Sequence, residues 1–211
     1  MRKLPKFIVS FLTLFFIIPI LSQSFASHKV FKDNFDDGNA DGWTNVFNTC
    51  FYNNNPAQWE VVDGKLGIKI NGGSCYTEMV PLDSNWDNLG DNYTIEFDMK
   101  LVGGTDHNFG WRWTAPGTLR YDFHIQSPNT LVLQFVGNTN LYNSVIHGDF
   151  SNGQTIHFAV EVLNEHIKIY RGSFPNRSLI LDYPDAGGVA PNGKIALEAS
   201  AGGDPSSETY F

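Results

Sequence analysis

The sequence predicts an all-β protein, a sandwich or jelly roll built from many short strands. Three observations carry this expectation. Helical periodicity is almost absent after residue 27. Short alternating apolar/polar runs recur instead, each bounded by a cluster of Gly, Asn, Asp or Pro. Gly 20 and Pro 10 supply turns, and aromatics at 14% supply bulk for a core.

Val30–Phe35 is the first run, followed by an acidic turn over Asp36–Gly42. Trp59–Val62 and Lys65–Ile70 flank Asp63-Gly64, a pair that supplies the φ > 0 residues of a tight hairpin turn. Cys75–Leu82 follows Asn71-Gly72-Gly73, and Asn85–Asn92 reads as a loop. Tyr93–Val102 alternates most cleanly: Ile95, Phe97, Met99 and Leu101 share one side, and Thr94, Glu96, Asp98 and Lys100 the other. Phe109–Thr114, Leu119–Gln126 and Thr130–Val136 are parted by Ala115-Pro116-Gly117 and Ser127-Pro128-Asn129. Leu141–His147, Thr155–Leu163, Ile167–Tyr170, Leu179–Tyr183, Lys194–Ala199 and Thr209–Phe211 complete the series. That is about thirteen strands at regular spacing, the pattern of a sandwich. No internal repeat or linker interrupts it, so residues 27–211 read as one domain. The series stops inside a run at Phe211, as a C-terminally truncated domain would.

Residues 1–26 carry Arg2, Lys3 and Lys6, then the apolar stretch Phe7–Leu21, then Ser24-Phe25-Ala26 with small residues at −3 and −1. This is the order of a secretory signal peptide. The apolar stretch is short for a span of roughly 20 residues. Secretion or display at the cell surface, extracellular or periplasmic, follows, with no membrane insertion after cleavage. Removal of three of the 14 basic residues leaves 22 acidic ones and a net charge near −11. A nucleic-acid or anionic-membrane partner needs clustered Lys and Arg, so both are disfavoured. Cys50 and Cys75 are the two cysteines, and export makes a disulfide between them the default. It would close a loop of about 26 residues and stabilise by roughly 3–4 kcal/mol in the chain-entropy model.

Four segments together carry a resemblance. They are Phe31-Lys32-Asp33-Asn34-Phe35-Asp36-Asp37-Gly38 leading to Gly42-Trp43, and Trp59-Glu60-Val61-Val62-Asp63-Gly64-Lys65-Leu66. Tyr93-Thr94-Ile95-Glu96-Phe97-Asp98-Met99-Lys100 and Gly193-Lys194-Ile195-Ala196-Leu197-Glu198-Ala199 complete the set. Over residues 30–211 the chain resembles a concanavalin A-like lectin/glucanase domain, of the type in laminin-G-like and 3-keto-disaccharide-hydrolase-like exported bacterial proteins. The resemblance implies two stacked antiparallel sheets of six or seven strands each. It also implies a structural Ca²⁺ tying the first strand to the last.

Three constellations carry candidate chemistry. Asp33, Asp36, Asp37 and Asp41, with Asn34 and Asn39, put hard oxygens into one Gly-containing turn, which suits Ca²⁺ as a structural cofactor. Alternation places Arg112 on the polar side of its strand, and Arg120, Asp122 and His124 on that of the next. With Glu96 and Asp98 beside them they would form a ligand-binding surface, extended by Gln134, His157 and Glu161. Planar bidentate groups beside rings such as Trp86, Trp111, Trp113, Tyr121 and Tyr142 suit a hydroxyl-rich glycan or polysaccharide. By the same alternation Trp111, Trp113 and Tyr121 point to the core. Laminarinase-type enzymes of the resembled fold carry Glu-x-Asp-x-x-Glu on one strand. Here Glu96-Phe97-Asp98-Met99-Lys100-Leu101 lacks the second Glu, which leaves Glu96 and Asp98 as the alternative catalytic pair. The expected function is therefore an exported, non-catalytic carbohydrate-binding or adhesion domain. The alternatives are a glycosidase-like hydrolase and a structural module of a larger surface protein.

Overall fold

A computed structural model describes residues 32–211 apart from 72, 88, 91, 105, 114–119, 127–129, 137–149, 164–165, 185–192 and 202–205. The side chains of Asp106, Arg112, Arg120, Gln126, Phe135 and Val136 fall outside the described set as well. The proposed signal segment and the run Leu141–His147 lie outside it. Asn34–Phe211 forms one compact unit, and everything below concerns it.

Its strands in chain order are β1 (Trp43–Asn48), β2 (Phe51–Tyr52), β3 (Asn55–Pro56), β4 (Trp59–Val62) and β5 (Lys65–Asn71). Next come β6 (Tyr76–Pro81), β7 (Asn92–Gly103), β8 (Asp106–Trp113), β9 (Arg120–Gln126) and β10 (Thr130–Val136). The last are β11 (Thr155–Leu163), β12 (His166–Arg171), β13 (Ser178–Pro184), β14 (Lys194–Ser200) and β15 (Ser206–Tyr210). A front sheet of six strands runs β1-β6-β14-β8-β9-β10. A back sheet of seven runs β13-β12-β11-β7-β15-β5-β4. All pairings are antiparallel. This is the two-sheet jelly-roll sandwich that the sequence predicts.

The β4–β5 hairpin turns on Asp63 (φ 52°) and Gly64 (φ 68°), the left-handed pair expected of an Asp-Gly turn. Two expectations fail locally. Lys32–Asn34 are not a strand, because Phe35 (φ 52°) and Gly38 (φ 77°) already begin the turn. Trp43–Asn48 is a strand that the sequence hides, because a register shift between Asn45 and Phe47 breaks its alternation.

Between the sheets lies an aromatic core. Phe97 of β7 stacks on Phe109 of β8 with centroids 3.9 Å apart and planes 13° from parallel. Phe158 of β11 meets Phe123 of β9 at 4.8 Å, edge to face. Each ring withdrawn from water contributes about 1.5–3 kcal/mol. A polar bridge crosses the same space, from His107 Nδ1 on β8 to Thr209 Oγ1 on β15. Cys50 and Cys75 form the expected disulfide, Cα to Cα 4.9 Å, tying the end of β1 to the start of β6.

The outer face of the back sheet is polar and paired. Asp98 accepts from His157 at 2.8 Å, and Lys69 meets Glu208 at 3.1 Å. Tyr170 OH donates to Glu161 at 2.9 Å beneath the Arg177 guanidinium, 4.0 Å from its ring centre.

Candidate functional site

Residues directly opposed across antiparallel strands point to the same side of a sheet. Register therefore lays out the outer face of the front sheet. One row runs Phe47, Glu78, Glu198, Asn108, His124, Val132, from β1 to β10. The next holds Ala196, Gly110, Asp122 and Gln134, with Val80 of β6 packed against Ala196. These rows are desolvated at their centre. Glu78 and Glu198 are 0% exposed, and Asn108, Asp122 and His124 no more than 4%. Exposure returns at Phe47, 38% exposed, and at Gln134, half-buried, whereas Val132 at the β10 end of the first row stays buried.

Carboxylates held this deep need partners or close packing. Tyr76 OH donates to Glu78 Oε1 at 2.8 Å, and Trp113 Nε1 donates to Glu78 Oε2 at 3.0 Å. Trp113 reaches Glu78 because the β8–β14 register slips: Ile195 opposes Trp111, but Lys194 opposes Trp113. The slip turns Trp113 out onto Val80 and Ala196. This corrects the expectation that Trp113 points to the core, whereas Trp111 and Tyr121 do, stacked at 5.6 Å. Glu198 lies over Gly110, where no side chain competes for the space.

Asp122 Oδ2 lies 3.6 Å from His124 Nδ1, two residues along the same strand. Asn108 Nδ2 donates to Ser200 Oγ at 3.3 Å. Asn108 Oδ1 and Asp122 Oδ1, on neighbouring strands, have no hydrogen-bond partner among the described residues.

The structure thus brings Asp122 and His124 onto one face, as expected. Arg112 and Arg120 stand on β8 and β9 of the same sheet, but their side chains lie outside the described set. Glu96 and Asp98 do not join them. Both belong to β7 of the back sheet, exposed on the opposite side of the sandwich, where Asp98 pairs with His157. His157 and Glu161 on β11 follow them, and of that extension Gln134 alone stays on the front face. Trp86 packs against the core from the turn Ser84–Trp86, and Tyr142 lies outside the described residues. Sequence reasoning missed Glu78 and Glu198. Their signal was a carboxylate inside Cys75–Leu82 and another inside Lys194–Ala199, runs otherwise apolar enough for central strands.

Asp36, Asp37 and Asp41 are exposed in the turn before β1. Asp36 accepts from the Asn34 amide and Asp37 from the backbone of Asn39 at 3.1 Å, and Asp41 N donates to Asn39 Oδ1 at 2.7 Å. Asp33 lies outside the compact unit Asn34–Phe211. Among the described residues no group of three or more His, Cys, Asp or Glu is placed to hold a metal ion.

No family model matches the sequence, and no curated protein does. Solved structures do resemble the fold. The carbohydrate-binding module CBM66 from Bacillus subtilis aligns with a TM-score of 0.57 at 16% identity, over 80% of this chain and 91% of the module. The exoplasmic/lumenal domain of VIP36, in a Ca²⁺/Man3GlcNAc-bound form, aligns with a TM-score of 0.56 at 10% identity, over 80% and 81%. The polysaccharide lyase family 7 alginate lyase AlgAT5 aligns with a TM-score of 0.50 at 12% identity, over 80% and 90%. At such identities the likeness is one of architecture, and in architecture this chain is a concanavalin A-like β-sandwich.

Proposed function

We propose that the chain is an exported glycan-binding domain whose ligand lies on the outer face of the front sheet. The observation that carries this is a pair of buried acceptors, Asn108 Oδ1 and Asp122 Oδ1, that have no partner among the described residues. Buried acceptors almost always have a donor, and adjacent hydroxyls of a sugar ring supply two. Arg112 and Arg120, on the same two strands, are the proposed further donors. The carbohydrate-binding and mannoside-bound neighbours of like fold support the same ligand class. The net charge of −8 argues against nucleic acid. The leader-like first 26 residues and the disulfide support a location outside the cytoplasm.

A second reading, polysaccharide cleavage, rests on Glu78 and Glu198, which oppose each other directly across β6 and β14. Such a pair has Cβ atoms about 4.5–5.5 Å apart, near the separation of about 5–5.5 Å between the carboxyl groups of retaining glycosidases. The alginate lyase neighbour shows that the fold supports polysaccharide chemistry. Binding without turnover is favoured, because both Glu78 oxygens already accept hydrogen bonds and neither carboxylate meets solvent.

A glycan array on residues 27–211, followed by an assay for released reducing or unsaturated ends on every hit, separates the readings. Capture without release is expected. Asp122→Ala and Asn108→Leu should each weaken a hit by about ten- to a hundredfold; unchanged affinity in folded variants would move the ligand off this face. A structural calcium, supported by the calcium-bound VIP36 neighbour, belongs to the proposal without assigned ligands, because Asp36, Asp37 and Asp41 are not placed to hold an ion. A melting temperature identical in chelator and in millimolar Ca²⁺ would remove it.

A further inference from the structure

We propose that the short hairpin of β2 and β3 is a binding site of its own for an uncharged saccharide chain. Its base is clamped. Cys50 and Ala57 are each 1% exposed, and Cys50 carries the bridge to Cys75. Ala57 N donates to Cys50 O at 2.9 Å, and Asn48 Nδ2 donates to Ala57 O at 2.7 Å. Asn48 Oδ1 in turn accepts from Cys50 N at 2.9 Å, and Tyr76 N donates to Thr49 Oγ1 at 3.0 Å. The tip, by contrast, is bare. Phe51 is 54% and Tyr52 40% exposed, large apolar rings left in water on a rigid support.

Register and composition name the occupant. Phe51 opposes Pro56 on one side of the hairpin, and Tyr52 opposes Asn55 on the other. Asn53 and Asn54 turn the chain between them at φ 51° and 64°. Aromatic faces attract the C–H edges of a sugar ring, and amides in reach of them exchange hydrogen bonds with its hydroxyls. From Gly42 to Trp59 the sequence holds no Asp, Glu, Lys, Arg or His, in a chain that is 17% charged. Within this stretch a uronate, a sulfated sugar or an anionic membrane finds no cation, and Lys69, which acts on Tyr52 from β5, is already bonded to Glu208 at 3.1 Å. A protein partner needs about 800 Å² per side, beyond what two rings and their amides offer. A clamped scaffold also presents its rings at little ordering cost, the condition for binding a flexible chain.

The test titrates cello-, xylo-, manno- and laminari-hexaose, with polygalacturonate as the charged comparison, into residues 27–211. The variants are Phe51→Ala, Tyr52→Ala, Tyr52→Phe and Asp122→Ala. At least one neutral hexaose should bind, weakened about tenfold by loss of the ring it stacks on and retained by Tyr52→Phe, while Asp122→Ala reports on the front-sheet site alone. Binding of none of the neutral hexaoses, or of polygalacturonate alone, overturns the proposal. So does affinity equal to that of the unsubstituted protein in both Phe51→Ala and Tyr52→Ala, or a Phe51-dependent self-association seen by sedimentation. A hit weakened by Asp122→Ala but not by the ring variants would retain the front-sheet site and reject this one; the converse would do the reverse.

Discussion

The carboxylate of Glu198 lies across the backbone of Gly110, so closely that a Cβ built on that glycine would fall 2.4 Å from Oε1 and 3.0 Å from Cδ. The two residues are near neighbours on adjacent strands, since Gly110 opposes Ala196 and Asn108 opposes Glu198. A glycine thus creates the space in which a wholly buried carboxylate lies flat on its sheet.

Gly110→Ala should therefore cost about 1–3 kcal/mol, the usual range for overpacking, and should impair glycan capture by displacing Glu198. Combining it with Glu198→Ala tests the cause. If the clash is the origin, the double variant loses less than the sum of the singles. Chemical denaturation of all four proteins measures this, and additive losses would refute the relationship.

The His107–Thr209 bridge joins the two sheets inside the core. Thr209→Val keeps the shape and removes the hydroxyl. Loss of a buried partner of this kind costs about 1–3 kcal/mol. The midpoint of urea unfolding should fall with the slope unchanged. Stability equal to wild type would mean that the bridge is dispensable.

Cys50→Ser with Cys75→Ser should lower stability by about 2–4 kcal/mol while the sandwich persists, since the main aromatic core does not include the bridge. Intact mass before and after alkylation under reducing and non-reducing conditions establishes the bond. The melting temperatures of the bridged and serine forms then give its contribution. The same variant should weaken any hexaose captured by the β2–β3 hairpin, whose base the bridge clamps.

Burial, and then the hydrogen bond to Glu208, push the Tyr210 phenol up to about 12. The unfolded chain releases this proton near pH 10, and the native state only about two pH steps later. Above pH 10 the native state holds more protons, so its stability falls as pH rises towards 12 and is level below 10. Lys69, raised by its bond to Glu208, and Tyr170, raised by burial, act with the same sign. Tyr210→Phe should make the alkaline decline shallower in denaturation curves taken across this window. An identical decline would show that this phenol is not among its causes.

Legibility in the sequence followed periodicity. Thr130–Val136 and Thr155–Leu163 are strands with the bounds that alternation and turn residues suggest. The Asp63-Gly64 hairpin and the Cys50–Cys75 pair were equally readable, one from local backbone preference and the other from there being two cysteines. The reading failed where alternation itself breaks. The slip at the end of β8 reversed Trp113, and the shift in β1 concealed a strand.

By itself, then, the sequence determined the regular strands and, within each, which residues share a side. Backbone geometry imposes a period of two wherever a strand is regular. It did not determine which strands share a sheet, because that depends on contacts between distant segments. Glu96 and Asp98 alternate like Asp122 and His124, yet β7 joined one sheet and β9 the other. Glu78 and Glu198 are far apart in the chain and met only because β6 and β14 pair. The polar face is thus a property of strand order, which is settled when two sheets bury their aromatic sides against each other and fix every outward side chain by default.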